Sequence, residues 1–364
     1  MYILLTIGFL VSLTTVVVIS QARFGKLPSG EHLSRIKNSP NYKNGSFQNL
    51  SYTPVMPEDV SIFKVMKDGL FNRSKRNTPK DPLPSRKTDL KSLDPEKDVL
   101  VWFGHSSYFM QIDGKKMLVY PVFYGNASPF SFAVKSFNGS DVYTPDDFPD
   151  LDYLFITHDH WDHLDFETVV KLKPKVDKII TGLGTGAHLA RWGFDSNSVI
   201  ELDWNEKSIP DSGFLVTYTP GRHFSGRGFK RNKSMWGAFV LETPNKKVFI
   251  GGDSGYDTHF AKIGAEHGPF DLALLECGQY NDYWKYIHLM PEQTVQAAIE
   301  LKAKVMMPVH WAKFALAYHA WDEPIERVTK EAQRLNVPVL HPMIGELNDL
   351  NNFGVQAEWW KGIN

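Results

Sequence analysis

A single cysteine, Cys277, among 364 residues leaves no partner for an internal disulfide and no material for a Cys-rich zinc knuckle. Neither sign of charge is in excess: 40 basic against 41 acidic residues give a formal net charge of −1. Such a chain has no standing attraction for polyanions, and no nucleic-acid partner is expected. No internal repeat is found. Long apolar runs are missing as well, with one exception at the start, MYILLTIGFLVSLTTVVVIS, which carries no charge. That run has about 18 mostly apolar residues, near the lower limit for a membrane span. It lacks the leading Lys or Arg and the closing small-x-small site of a cleaved signal. The cations come afterwards, as Arg23, Lys26, Arg35 and Lys37. Residues 1–20 are therefore expected to form a retained, single-pass N-terminal anchor, with the downstream domain facing the cytoplasm.

What is present is the composition of a globular protein, 42% hydrophobic and 22% charged. Residues 21–96 are polar, broken by Pro and Gly, and include the basic run RSKRNTPKDPLPSRK. This stretch reads as a linker and an arm draped over the main domain, beside lipid headgroups or simply solvated. From Lys97 to Asn364 the texture is that of one domain. It opens on a strand meander with a tight Asp113-Gly114 turn. Apolar runs at 151–157, 214–220, 238–243, 247–252, 272–277 and 304–310 predict strands. DFETVVKLK, THFAKIGAEHG, PEQTVQAAIELKA and EPIERVTKEAQRLN predict amphipathic helices. Strands mixed with helices over this length predict an α/β layered domain.

The densest chemistry is THDHWDH at 157–163, directly after a predicted strand. Extended or turning backbone there lets His158 and His160 face one cation, with Asp162 and His163 facing a second. Imidazole and carboxylate are the donors that borderline divalent metals such as Zn²⁺ prefer. One loop cannot complete two such sites. Three further strand ends offer His223 (TPGRHFSG), Asp253 (GGDSGY) and His310 (PVHW), each beside Gly or Pro that permits close backbone approach. In layered α/β folds the strand C-terminal ends are where sites gather.

The order HDHWDH, a lone His, GDSGY and PVHW resembles the metallo-β-lactamase superfamily of dinuclear metal hydrolases. WFGHSS, ITHDHWDHLD, IELDWNE, GPFDLALLECGQY, IHLMPEQTVQAA and VHWAKFALA draw it nearest to the N-acylphosphatidylethanolamine phospholipase D-like branch. The likeness runs from about residue 100 to 346. It implies a four-layer αββα sandwich over 97–364, a homodimer, and two divalent metals, Zn²⁺ foremost, with Mn²⁺ or Fe²⁺ as alternatives. It places His158, His160 and His223 on one metal, Asp162, His163 and His310 on the other, and Asp253 between them. Asp162 would also orient the nucleophile, and His288 would line the substrate cavity and donate to the leaving group. The implied activity is hydrolysis of a phosphodiester, for instance of an N-acylethanolamine phospholipid. Two alternatives share the site: a lactonase or sugar-phosphate hydrolase, and a metal-binding module without turnover. One departure stands out, since the family's usual Asp-Pro is Tyr120-Pro121 here.

Other residues have plainer readings. His105 is expected to pack or hydrogen-bond beneath the site, and Cys277 to sit in the core. His188, His259, His267, His319 and His341 are expected at the surface or at helix ends. The glycines of TGLGTGAH are expected to form a turn rather than a nucleotide loop. The aromatics around 280–286 and 311–318 serve either as core or as an acyl-chain wall.

Overall fold

A computed structural model describes residues 2–354 and 356–364. The N-terminal hundred residues carry α1 (Tyr2–Ile19), α2 (Gly30–Lys37), a small hairpin of β1 (Tyr42–Lys43) and β2 (Ser46–Phe47), and α3 (Ile62–Phe71). The membrane-spanning anchor expected over 1–20 is not met. The α1 helix has 18 residues, about 27 Å at 1.5 Å per residue, short of a hydrocarbon core of about 30 Å. Among the described residues no helix is long and apolar enough to cross a membrane. The basic run is not idle. Arg86 pairs with Glu346 and Lys87 with Asp147, while the Asn77 amide donates to the carbonyls of Ala317 and His319.

A first sheet is built from β3 (Val99–Trp102), β4 (Tyr108–Ile112), β5 (Lys115–Val119), β6 (Leu151–Ile156), β7 (Val176–Gly182) and β8 (Val199–Leu202), with α4 (Phe166–Leu172) after β6 and α5 (Gly186–Arg191) after β7. Positive φ at both Asp113 and Gly114 gives the tight turn that joins β4 to β5. A second sheet follows from β9 (Lys207–Asp211), β10 (Phe214–Pro220), β11 (Gly237–Glu242), β12 (Lys247–Ile250), β13 (Leu272–Glu276) and β14 (Met306–Val309). It is interleaved with α6 (His259–Glu266) and α7 (Pro291–Glu300); α8 (Glu323–Leu335) comes next, and β15 (Leu347–Asp349) returns to the first sheet. The orders are β15-β3-β4-β5-β6-β7-β8 and β14-β13-β12-β11-β10-β9. Each sheet is antiparallel at one side and parallel at the other: β5 to β8 run parallel, as do β12 to β14.

Strand alternation sorts the side chains. Leu100, Trp102, Tyr108, Met110, Met117 and Val119 face the second sheet and join Val216, Tyr218 and Phe239 in the main core. Val101, Phe103, Phe109, Leu118, Leu154 and Ile156 face the other way, onto Val169, Leu172 and Leu189 of α4 and α5. The α7 helix lies against β13, β14 and α8 on the far side of the second sheet. Burial of the central strands on both faces explains why their sequences read as apolar runs rather than alternation.

Candidate metal centre

The parallel strands aim their C-terminal ends at one place. The 157–163 loop leaves β6, His223 follows β10, Asp253 follows β12 and His310 follows β14. One of these turns depends on special backbone. His310 has φ +72°, a left-handed conformation that a His adopts only when its surroundings hold it there. It passes so close to Gly278 that a Cβ at that glycine would lie 2.1 Å from the His310 carbonyl oxygen.

Nitrogen ligands about 2.0–2.1 Å from a tetrahedral zinc stand roughly 3.3 Å from one another. The side chains here already show that spacing. His158 Nε2 lies 3.1 Å from His160 Nδ1, which lies 3.2 Å from His223 Nε2. In a second group, Asp162 Oδ2 is 3.0 Å from His105 Nε2 and 3.3 Å from both His163 Nε2 and His310 Nε2. Asp253 Oδ2 stands between the groups, 3.0 Å from His163, 3.3 Å from His310 and 3.8 Å from His158 and His223, at Nε2 in each case. The donor atoms of His158, His160, His223 and Asp253 lie within 4.8 Å of one another, as do those of His105, Asp162, His163 and His310. Both sets could hold a metal ion.

The far nitrogens fix the rings. Nδ1–H of His223 donates to the Ile287 carbonyl (2.8 Å), and that of His310 to the Gly278 carbonyl (3.1 Å). His158 Nδ1 shares a hydrogen bond of 3.0 Å with the Thr157 hydroxyl. Each bond leaves a bare Nε2 facing the centre, the outer-shell arrangement of metal-ligating histidines.

Charge follows from burial and carboxylates. Burial alone would depress His163 and His310. Asp253 and Asp162 override it, pushing His163 up to about 9 and His310 well above the ordinary imidazole value. His158 and His223, dominated by burial and crowded by other imidazoles, are held well below it. Ligation requires neutral rings, so metal uptake near neutral pH must expel protons. Metal binding is therefore expected to tighten as pH rises from 6.5 toward about 9. Calorimetry in buffers of different ionisation enthalpy checks this, and uptake without proton release would refute it. In the metal-free chain the sign is opposite. The raised His163 contributes stability fully below pH 6.5, and this is lost as pH climbs through about 9.

Several contributors escape sequence reasoning. The buried Glu276 carboxylate accepts from His288 Nδ1–H at 2.7 Å and from Ser254 N–H at 2.6 Å, and lies 3.4 Å from His310 Nδ1. Burial raises its pKa, with partial offset from His288. His288 packs against His223 and His310, with ring centroids 5.1 and 5.2 Å away. Asn49, on the N-terminal arm, clasps the His223 backbone from both sides. Its amide donates to the His223 carbonyl (2.7 Å), and its oxygen accepts from His223 N–H (3.1 Å). Asn49→Ala is expected to weaken metal binding about 10–100-fold, the usual effect of losing an outer-shell partner. Zinc titration against a competing chelator measures it, and an unchanged affinity would remove Asn49 from the site.

The Tyr120 departure has a visible consequence. Its hydroxyl reaches the Thr157 hydroxyl (2.6 Å) and the Gly251 carbonyl (2.9 Å), while its ring lies 4.5 Å from that of His163. Among the described residues His163 Nδ1 has no hydrogen-bond partner.

The expectation of peripheral histidines is corrected at His188, which is buried inside α5; His259 and His267 lie at the two ends of α6 as expected, though buried there. His188 is drawn inward by Asp159 (3.0 Å) on the metal loop, His259 meets the Ser254 hydroxyl (3.1 Å), and His267 packs at the C-terminal end of α6. His105 hydrogen-bonds Asp162 at 3.0 Å, and Cys277 is buried. In TGLGTGAH the Glu201 carboxylate accepts from the backbone N–H of Gly184 (2.7 Å) and Gly186 (2.8 Å), so the positions a phosphate would take are already filled. Of the aromatics, Tyr280, Trp311 and Phe314 are core, whereas the Tyr318 hydroxyl donates to the Val65 carbonyl of α3 (3.0 Å).

Comparison with known proteins adds the lineage. Residues 126–311 match the Beta-lactamase superfamily domain. An uncharacterised protein of Mycobacterium tuberculosis is 36% identical over 339 residues, 89% of this chain and 88% of the relative. The N-acyl-phosphatidylethanolamine-hydrolyzing phospholipase D 1 of Caenorhabditis elegans is 31% identical over 277 residues, 68% of this chain and 76% of that protein. Among solved structures, the metallo hydrolase Igni18 of Ignicoccus hospitalis superposes with a TM-score of 0.53 at 21% identity, over 69% of this chain and 97% of that one.

Proposed function

The chain belongs to the β-lactamase superfamily of metallo-hydrolases, and from that premise we propose that it cleaves a phosphodiester of an N-acylethanolamine phospholipid or a closely related lipid ester. The observation carrying the hydrolytic part is Asp253 Oδ2, which lies 3.0–3.8 Å from four imidazole nitrogens. That position suits one carboxylate shared by two cations. His158, His160 and His223 would hold one, Asp162, His163 and His310 the other. A donor set of imidazole and carboxylate favours Zn²⁺, with Mn²⁺ or Fe²⁺ as weaker fits.

When bound, two divalent cations supply a water ionised at neutral pH and offset charge on the reacting ester. The chain's own groups do the rest. Asp162, held by His105 and beside His163 and His310, would orient the attacking water and take its proton. His288, held at Nδ1 by Glu276, presents its other nitrogen as donor to the departing oxygen. The lipid part of the reading leans on the nematode relative's stated activity, applied here to a chain that matches 76% of that protein.

Purified chain loaded with zinc and given N-acyl phosphatidylethanolamine in mixed micelles should release phosphatidic acid and the N-acylethanolamine. Turnover of soluble lactones or sugar phosphates with no lipid hydrolysis would replace this substrate with those. No turnover on any of them at full metal occupancy would leave a binding module.

A further inference from the structure

We propose that the chain docks on anionic lipid bilayers through a face made by the last turn of α1, the 129–132 loop and the 226–233 loop. This deepens the lipid-substrate reading and rests on it for its purpose.

The α1 helix carries no charge, and apolar side chains stand exposed along it, among them Leu5, Phe9, Val11 and Val16. With no polar side it offers no single stripe for a protein groove. It suits apolar surroundings on all sides. At its base three phenylalanines project into solvent: Phe130 is 43% exposed, Phe132 78% and Phe229 81%. Such rings are expensive to leave in water, and together they form a patch rather than scattered exceptions. The three segments are contiguous, since Val18, Ile19, Phe24, Phe130 and Phe229 line one cleft of about 330 Å³.

Charge selects the partner. Lys26, Lys230 and Arg231 are exposed around the phenylalanines, and the segments 20–30, 121–140 and 221–241 contain no Asp or Glu. The nearby Glu167 is paired to Arg23 (3.1 Å), and aromatics interleaved with cations in segments that carry no acid of their own match the headgroup zone of an anionic leaflet. The face is also fastened to the metal loop. The Arg23 guanidinium donates to the Pro129 carbonyl (2.9 Å), and Arg227 donates to the Arg23 carbonyl (2.9 Å). Arg227 in turn stacks 3.8 Å from the ring of Trp161, which sits between His160 and Asp162. A bilayer on this face would therefore lie beside the metal loop, through Arg227 and Trp161.

The test uses the full chain, with α1 intact throughout, sedimented with sucrose-loaded vesicles. One set is phosphatidylcholine alone, and the other contains about one-third phosphatidylglycerol. The unaltered chain should prefer the anionic set. Phe130→Ser, Phe132→Ser and Phe229→Ser together should lower partitioning to both sets by about tenfold. Lys26→Glu, Lys230→Glu and Arg231→Glu together should erase the preference for the anionic set, by about tenfold or more. Zinc content and hydrolysis of a soluble aryl phosphodiester should stay as in the unaltered chain, showing that the variants fold. Partitioning by both variants equal to the unaltered chain would mean α1 alone binds and overturns the proposal. So would indifference to lipid charge, or variants that alter self-association without altering lipid binding. Vesicle binding needs no turnover, so a chain that docks but fails to cleave N-acyl phospholipid sinks only the substrate reading.

Discussion

Asp253→Ala is expected to strip the centre of metal and of turnover together. The carboxylate lies within 3.8 Å of His158, His163, His223 and His310, so its removal takes a donor from both groups at once. It also removes one of the two carboxylates that lift His163 and His310, leaving Asp162 alone to oppose their burial. Four imidazoles converging with no carboxylate between them can still bind a cation, but two cations would repel across the gap. Bound metal should fall from about two per chain to one or less. Hydrolysis should fall beyond the roughly 10–100-fold that loss of an outer partner brings. The proton release on metal uptake should shrink as well, because fewer rings start protonated. Elemental analysis, a zinc titration and one hydrolysis assay decide it. Full occupancy with undiminished turnover would mean that Asp253 is a structural residue and that the two groups do not act as one centre.

How far the sequence reaches is shown by which donors it exposes. THDHWDH is readable because its residues are local and follow an apolar run, and His223, Asp253 and His310 because each punctuates the end of another. Glu276 obeys the same rule, being the last residue of β13, yet it hides inside LALLEC. A strand buried on both faces allows a carboxylate only where that carboxylate finds donors, and His288 and Ser254 N–H come from elsewhere in the chain. Asn49 is harder still. Nothing in a polar arm marks the one amide that will clasp a backbone 174 residues away. His188 fails for a related reason, since it turns inward only because Asp159 awaits it. The N-terminal run reads as a span by composition, while among the described residues no helix is long and apolar enough to cross a membrane. A layered α/β domain is legible in the sequence, whereas the strand order, β7, β8, α5 and the return of β15 beside β3 depend on long-range pairing.

Glu276 also carries the sharpest test of how the leaving group departs. Its Oε2 accepts from His288 Nδ1–H at 2.7 Å, and its Oε1 accepts from Ser254 N–H at 2.6 Å. Both contacts require an acceptor. A glutamine can satisfy only one of them, since its amide nitrogen must meet either the Ser254 N–H or the His288 Nδ1–H. The backbone cannot yield its proton, so the imidazole gives way and its proton moves to the far nitrogen. The ring then loses the carboxylate that stabilises it when both nitrogens are protonated, the form able to protonate a departing alkoxide. Glu276→Gln should therefore lower kcat about 10–100-fold for an ester with a poor leaving group. It should leave an aryl ester nearly untouched, because a nitrophenolate departs without a proton. His288→Ala should show the same selectivity, and the double variant should be no worse than either alone. Metal content separates this role from the other one Glu276 could play, through His310 Nδ1 at 3.4 Å. If Glu276→Gln loses metal and slows both esters alike, Glu276 acts by holding His310, and His288 needs another partner or has no part in the chemistry.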